Sequence, residues 1–186
     1  MYLHHYFNKE NGPFRSISEL PAEKARKVFD SMASYLAERD GGVYNPDQVT
    51  DEFIINRHRL RCELEYEMRQ KFIGKNGNVS RKHPYYLILS EDDMPDKALL
   101  EFYKNGVYIT TPVEEFDMTT VSFTYGDSFV QYYHTENSEY ELVYTYHEIL
   151  EIIEAYGWVT KNKDGWGFVE AQLWSDAQIN KYRGNL

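Results

Sequence analysis

Apolar residues recur along the chain with two different periods. From Pro21 to about Arg39 the residues Ala25, Val28, Phe29, Met32 and Leu36 step by three and four. That spacing predicts a helix, with Pro21 suited to its first turn and Gly41-Gly42 to its exit. A second helix is predicted from Asp51 to Ile73, because Leu60, Leu64, Met68 and Phe72 fall four apart with Phe53 near the same stripe, and Gly74 is placed to end it. From Pro84 the period shortens. Runs rich in Tyr, Val, Ile, Thr and Phe, separated by turn residues, predict strands at Tyr85–Leu89, Val107–Thr111, Thr120–Tyr125, Phe129–His134, Glu141–Tyr144 and Phe168–Trp174. Tyr2 to Phe7 is a further strand candidate, and Pro95 to about Tyr103 a short helix. Gly126-Asp127 predicts a tight hairpin, and Asp164-Gly165 a turn before the last strand. Thr145-Tyr146-His147-Glu148 has the capping-box pattern, followed by the apolar face Ile149, Leu150, Ile152, Ile153 and Tyr156 and by Gly157 as the C-terminal stop.

These elements predict one α+β domain over residues 1–186, with a largely antiparallel sheet of five or six strands packed against about three α-helices. Helices concentrate in 18–74 and the sheet in 84–174, with a helix at 146–156. Helices early and strands late, without regular alternation, argue against a parallel sheet. The length of 186 residues suits one domain, and 42% hydrophobic with 27% charged residues suits a folded chain. No apolar run approaches a membrane span and the opening residues lack a signal-peptide pattern, so a cytoplasmic location without membrane partners is expected. The lone Cys62 excludes an internal disulfide.

The net charge of −10 is unevenly placed: residues 1–89 carry 14 basic and 12 acidic side chains, residues 90–186 carry 6 and 18. Such a balance disfavours nucleic acid as a partner and suits a basic protein. The basic string Arg57-His58-Arg59-Leu60-Arg61 has acidic residues one turn away once wound into a helix, at Arg59 to Glu63 and Arg61 to Glu65, which reads as a solvated, ion-paired face. Seventeen tyrosines offer large rings with polar tips suited to interfaces and pocket walls.

Motifs for phosphate loops, dinucleotide folds, serine elbows and zinc helices are missing from the sequence, so no cofactor and no metal is expected. His4 and His5 are adjacent on a predicted strand and face opposite ways. The last strand is more informative. If Val169, Ala171 and Leu173 face the core, then Phe168, Glu170, Gln172 and Trp174 share the other side, a wall with a carboxylate and an amide between aromatic rings. A small-molecule pocket would draw on Tyr85, Tyr125, Glu170 and Trp174, with Arg15 or Arg81 reading an anionic group and His83 and Asp127 near by.

The segments Gly12-Pro13-Phe14-Arg15-Ser16, Arg81-Lys82-His83-Pro84-Tyr85-Tyr86, Val121 to Phe129, Tyr144 to Gly157 and Val169 to Asp176 together resemble an uncharacterised family of small single-domain bacterial proteins. The resemblance implies no activity. A first-strand histidine with a late-strand glutamate also resembles ADP-ribosyltransferases. That likeness implies dinucleotide contact by His4 or His5 with Tyr125, and a transfer role for Glu170, although Glu170-x-Gln172 reverses the Gln-x-Glu order of one branch. Two functions are therefore carried forward: a noncatalytic interaction protein with an acidic, tyrosine-rich surface, and a small-molecule-binding enzyme centred on Glu170. Oligomeric state is left open by the sequence.

Overall fold

The computed structural model describes residues 1–21, 23–28, 51–102, 106–134, 140–159 and 167–183. Strands β1 (Tyr2–Asn8), β2 (Tyr85–Ser90), β3 (Gly106–Pro112), β4 (Val121–Tyr125) and β5 (Val169–Leu173) form one five-stranded sheet in the order β3-β1-β2-β5-β4. Every neighbouring pair is antiparallel. The helices are α1 (Asp51–Gly74), α2 (Lys97–Phe102), α3 (Ser128–His134), α4 (Tyr146–Tyr156) and the short α5 (Asn180–Arg183), and residues 23–28 are also helical. The architecture is α+β, as the two apolar periods require. The predicted helix beyond residue 28, its Gly41-Gly42 exit and the Asp164-Gly165 turn lie outside the described residues. Among the described residues no helix is long and apolar enough to cross a membrane.

Two cores lie on opposite faces of the sheet. On one, Leu87, Phe123, Val169, Ala171 and Leu173 pack with Ile149 of α4 and with Ile179. On the other, Leu64, Met68 and Phe72 of α1 close over Trp174 and Val143, joined by Phe129 and Tyr133 of α3. The four-residue stripe of α1 thus does what its spacing requires. Fully burying one such side chain stabilises by roughly 1.5–3 kcal/mol.

Several boundaries depart from the sequence reading. Phe129–His134 is helix α3, not a strand. Its Val and Tyr content favours strands, but Asp127 accepts from the Phe129 and Val130 N–H groups at 2.8 and 3.1 Å and starts a helix instead. Phe129 and Tyr133 then sit one turn apart with rings 4.9 Å between centroids. Gly126, at φ +113, supports this helix start rather than a hairpin. Glu141–Tyr144 forms only an isolated bridge, Tyr144 to Phe123, because the cap at Thr145 follows at once. α1 ends at Gly74, as the sequence predicts, but the left-handed closing position falls two residues later. Asn76 takes the left-handed turn at φ +64, donating to the Ile73 carbonyl while Gly77 donates to the Phe72 carbonyl, a Schellman closure. A Cβ on Gly77 would lie 2.5 Å from the Phe72 ring, so glycine is required there by contact.

α4 is as predicted. Thr145 and Glu148 cap each other reciprocally and Gly157 ends the helix at φ +80. Burial raises the Glu148 carboxyl, and the Lys75 ammonium with the Thr145 donors more than offsets this, leaving it below its ordinary value.

Candidate functional site

Alternation along the strands makes the α1-facing side of the sheet polar. Tyr86 lies opposite Gln172, which lies opposite Ser122, and Ile88 lies opposite Glu170, which lies opposite Thr124. Ser122, Thr124 and Gln172 are fully buried. Polar groups in such a place must be bonded, and these are. Trp174 Nε1 donates to Ser122 Oγ at 2.8 Å, Ser122 Oγ donates to Gln172 Oε1 at 2.8 Å, and Thr124 Oγ1 donates to the Leu142 carbonyl at 2.9 Å.

Glu170 stands in this face, part-buried. Its Oε2 accepts from the Ser128 backbone N–H at 3.1 Å and from Gln172 Nε2 at 3.2 Å. Burial, then the Asp127 charge beside it, push its carboxyl up to about 7, against the pull of the Ser128 bonds and of Arg61. A carboxyl poised there exchanges its proton at neutral pH.

Above it, α1 contributes Glu65, which is wholly buried. Ser18 Oγ donates to Glu65 Oε1 at 2.8 Å, the Tyr86 hydroxyl donates to the same oxygen at 3.2 Å, and His83 Nδ1 meets Oε2 at 2.6 Å. Arg61 Nε lies 3.2 Å from Glu65 Oε1, and its guanidinium sits 4.3 Å over the Tyr86 ring. Burial and the Glu65 charge drive the Tyr86 hydroxyl well above its ordinary value, so it stays a donor. Cys62, on the same helix, has its thiol raised by burial and by Glu65, which makes it a poor nucleophile.

The candidate residues from the sequence divide between places. Glu170, Asp127, His83 and Trp174 belong to this polar face. Tyr85 points to the opposite core, its hydroxyl donating to Asp176 Oδ1 at 2.9 Å. Arg81 lies 3.8 Å over the Tyr85 ring and bonds Asp176 at 2.8 Å, Glu19 at 2.6 Å and the His83 carbonyl at 3.0 Å, so its donors are engaged within the fold. Tyr125 donates to the Gly157 carbonyl at 2.9 Å, and Arg15 is exposed. The wall read from the last strand is therefore a buried layer rather than an open one, with Trp174 sealed beneath α1.

Glu65, Tyr86 and Arg61 are the members that sequence reasoning missed. Arg61 and Glu65 have the spacing of a surface ion pair, and only contacts from distant segments show the glutamate to be interior. Among the described residues no group of three or more His, Cys, Asp or Glu is arranged to hold a metal ion.

The two first-strand histidines separate by face. His5 is on the α4 side, donating from Nδ1 to the Tyr86 carbonyl at 2.9 Å and accepting the Phe14 N–H on Nε2 at 2.8 Å, with its ring stacked on Phe14. Burial lowers it to about 4. His4 pairs with Ile88, so it shares the row of Glu170, but its ring nitrogens meet Thr110 Oγ1 and the Asp92 carbonyl, each at 2.9 Å. Compared with protein-family models, curated proteins and solved structures, the chain matches none.

Proposed function

We propose that this protein binds a small polar molecule at the seam between α1 and the polar face of the sheet, and that Glu170 exchanges a proton with it. The observation that carries this reading is the company of Glu170: a part-buried carboxyl beside Asp127, within the field of Arg61, on a sheet face filled with hydroxyl, amide and phenol groups. Apolar side chains of similar volume would stabilise such a layer more simply, so a costly polar filling favours a chemical role. Among the described residues the acids Glu65, Asp127 and Glu170 gather near Arg61 and His83. That balance suits a neutral or cationic ligand better than the anion the sequence suggested. The ADP-ribosyltransferase likeness gains little, since both rings of the histidine pair are engaged elsewhere.

The test is a thermal-shift panel of amides, amines, sugars, nucleosides and nicotinamide adenine dinucleotide at millimolar concentration. The proposal expects at least one to raise the melting temperature of the wild type and to raise that of Glu170→Gln less. No shift across the panel contradicts it.

A second reading, a noncatalytic partner for a basic protein, draws on the outer side of α4. Glu151 and Glu154 are exposed on a helix without Lys or Arg, next to a ring cluster in which Tyr140 lies 4.9 Å from Tyr125 and 5.7 Å from Tyr156. Salt-sensitive binding of polylysine, weakened by Glu151→Gln with Glu154→Gln, is its expected outcome. Binding unchanged by those substitutions counts against it.

A further inference from the structure

We infer that Trp174, Ser122 and Gln172 form a one-way hydrogen-bond chain that assigns the exchangeable proton of Glu170 to Oε1, with Gln172 as its positioning residue. This deepens the proposed role of Glu170 and rests on it.

The direction of the chain follows from what each group is able to do. An indole N–H only donates, so at 2.8 Å from Trp174 Nε1 the Ser122 oxygen must accept. The Ser122 hydrogen is then available for its other neighbour, 2.8 Å away, the oxygen end of the Gln172 amide. A second anchor agrees. The Thr124 hydroxyl gives its hydrogen to the Leu142 carbonyl at 2.9 Å, so toward Gln172, at 3.2 Å, it only accepts. Both ends of the amide are thus dictated by chemistry, and the ambiguity that usually attends an amide side chain does not arise.

With the amide fixed, Nε2 has two hydrogens and two acceptors: Thr124 Oγ1 and Glu170 Oε2, both at 3.2 Å. Glu170 Oε2 also receives the Ser128 backbone N–H at 3.1 Å. Two donors converge on that oxygen, so a proton placed there would lose a bond and face two hydrogens. The neutral form of Glu170 therefore carries its proton on Oε1, and proton exchange with a ligand takes place at that atom. The charged and titratable groups around Glu170 are Asp127 ahead of α3, Arg61 and Glu65 on α1 and Tyr86 on β2. The assignment rests on the bonds that Gln172 and Ser128 give to Oε2.

Gln172 also stabilises the ionised form, because a donor aimed at a carboxylate favours its charge. Carbon-detected NMR of labelled glutamate side chains follows the Glu170 titration directly. The wild type is expected to titrate near 7. Gln172→Met removes the donor and should move the midpoint up by about one pH unit. Trp174→Phe keeps an aromatic ring but removes the donor to Ser122, loosening the hold on Gln172 Oε1 while Thr124 still holds Nε2, and should move it in the same direction by less. Should Trp174→Phe fail to fold, Ser122→Ala tests the same link. Tyr125→Phe, outside the chain, should leave the midpoint unchanged. Variants that fold with the wild-type midpoint overturn the inference, since a merely structural role would lower stability without moving the titration. A wild-type midpoint near 4.5 would instead remove the proposed role of Glu170.

Discussion

The Glu65 carboxylate, wholly buried on α1, meets the His83 ring at 2.6 Å from the segment that leads into β2. Ser18, Tyr86 and Arg61 complete the shell of Glu65, so one acid ties the N-terminal region, the long helix and the sheet together.

Removing one partner should therefore be costly. His83→Ala leaves a buried carboxylate short of a donor and is expected to destabilise by about 3–5 kcal/mol. Urea unfolding of His83→Ala, of Glu65→Gln and of the double variant checks this. The double variant should cost less than the two single costs added, and strict additivity would show the pair to be uncoupled.

At the end of α1 the Phe72 ring occupies the space a side chain on Gly77 would need. Gly77→Ala should lower stability by about 1–3 kcal/mol through displacement of that ring from the core. Gly74→Ala, where nothing lies within 4 Å, should be neutral or stabilising. Equal melting temperatures for Gly77→Ala and the wild type would contradict the closure described.

Much of this fold is readable in the sequence where one residue sets one local geometry. Thr145, Glu148 and Gly157 specify α4 by themselves, and the Leu64, Met68 and Phe72 stripe specifies the buried side of α1. Glu65 is not readable, because four-residue charge spacing looks the same on a wet face as on a dry one. Its shell arrives from 47, 18 and 21 positions away, at Ser18, His83 and Tyr86. α3 is misread for a related reason: the strand propensity of Val130, Tyr132 and Tyr133 yields to the Asp127 cap and to packing of Phe129 and Tyr133 on α1. Glu170 could be placed on a face from alternation alone. That α1 covers that face could not.

His5 predicts acid sensitivity. Its folded value of about 4 lies below the ordinary 6.5, owing to burial, which the bond to the Tyr86 carbonyl only partly offsets. Between those values the unfolded chain holds more protons, so stability falls as pH drops from 6.5 toward 4, by up to about 3 kcal/mol from this group. His4, also lowered by burial, adds in the same direction. Nitrogen NMR of the imidazoles should show His5 neutral at pH 5.5, with Nδ1 protonated. A His5 titration near 6.5 would refute this.

Glu170 has the opposite sign. Its folded value of about 7 lies above the ordinary 4.5, so the folded state holds more protons between them and stability falls as pH rises through that window. The two slopes partly cancel in the wild type, and comparison with Glu170→Gln separates them, because His5 is common to both. The most direct test of the account is urea unfolding of wild type and Glu170→Gln at intervals from pH 4 to pH 8.5. The account predicts that the variant gains on the wild type as pH rises through 4.5–7, reaching an advantage of up to about 3 kcal/mol over its value at pH 4, and then holds level. A difference that does not change with pH would show that Glu170 titrates alike in the folded and the unfolded chain, and would contradict the proton-exchanging site proposed for this protein.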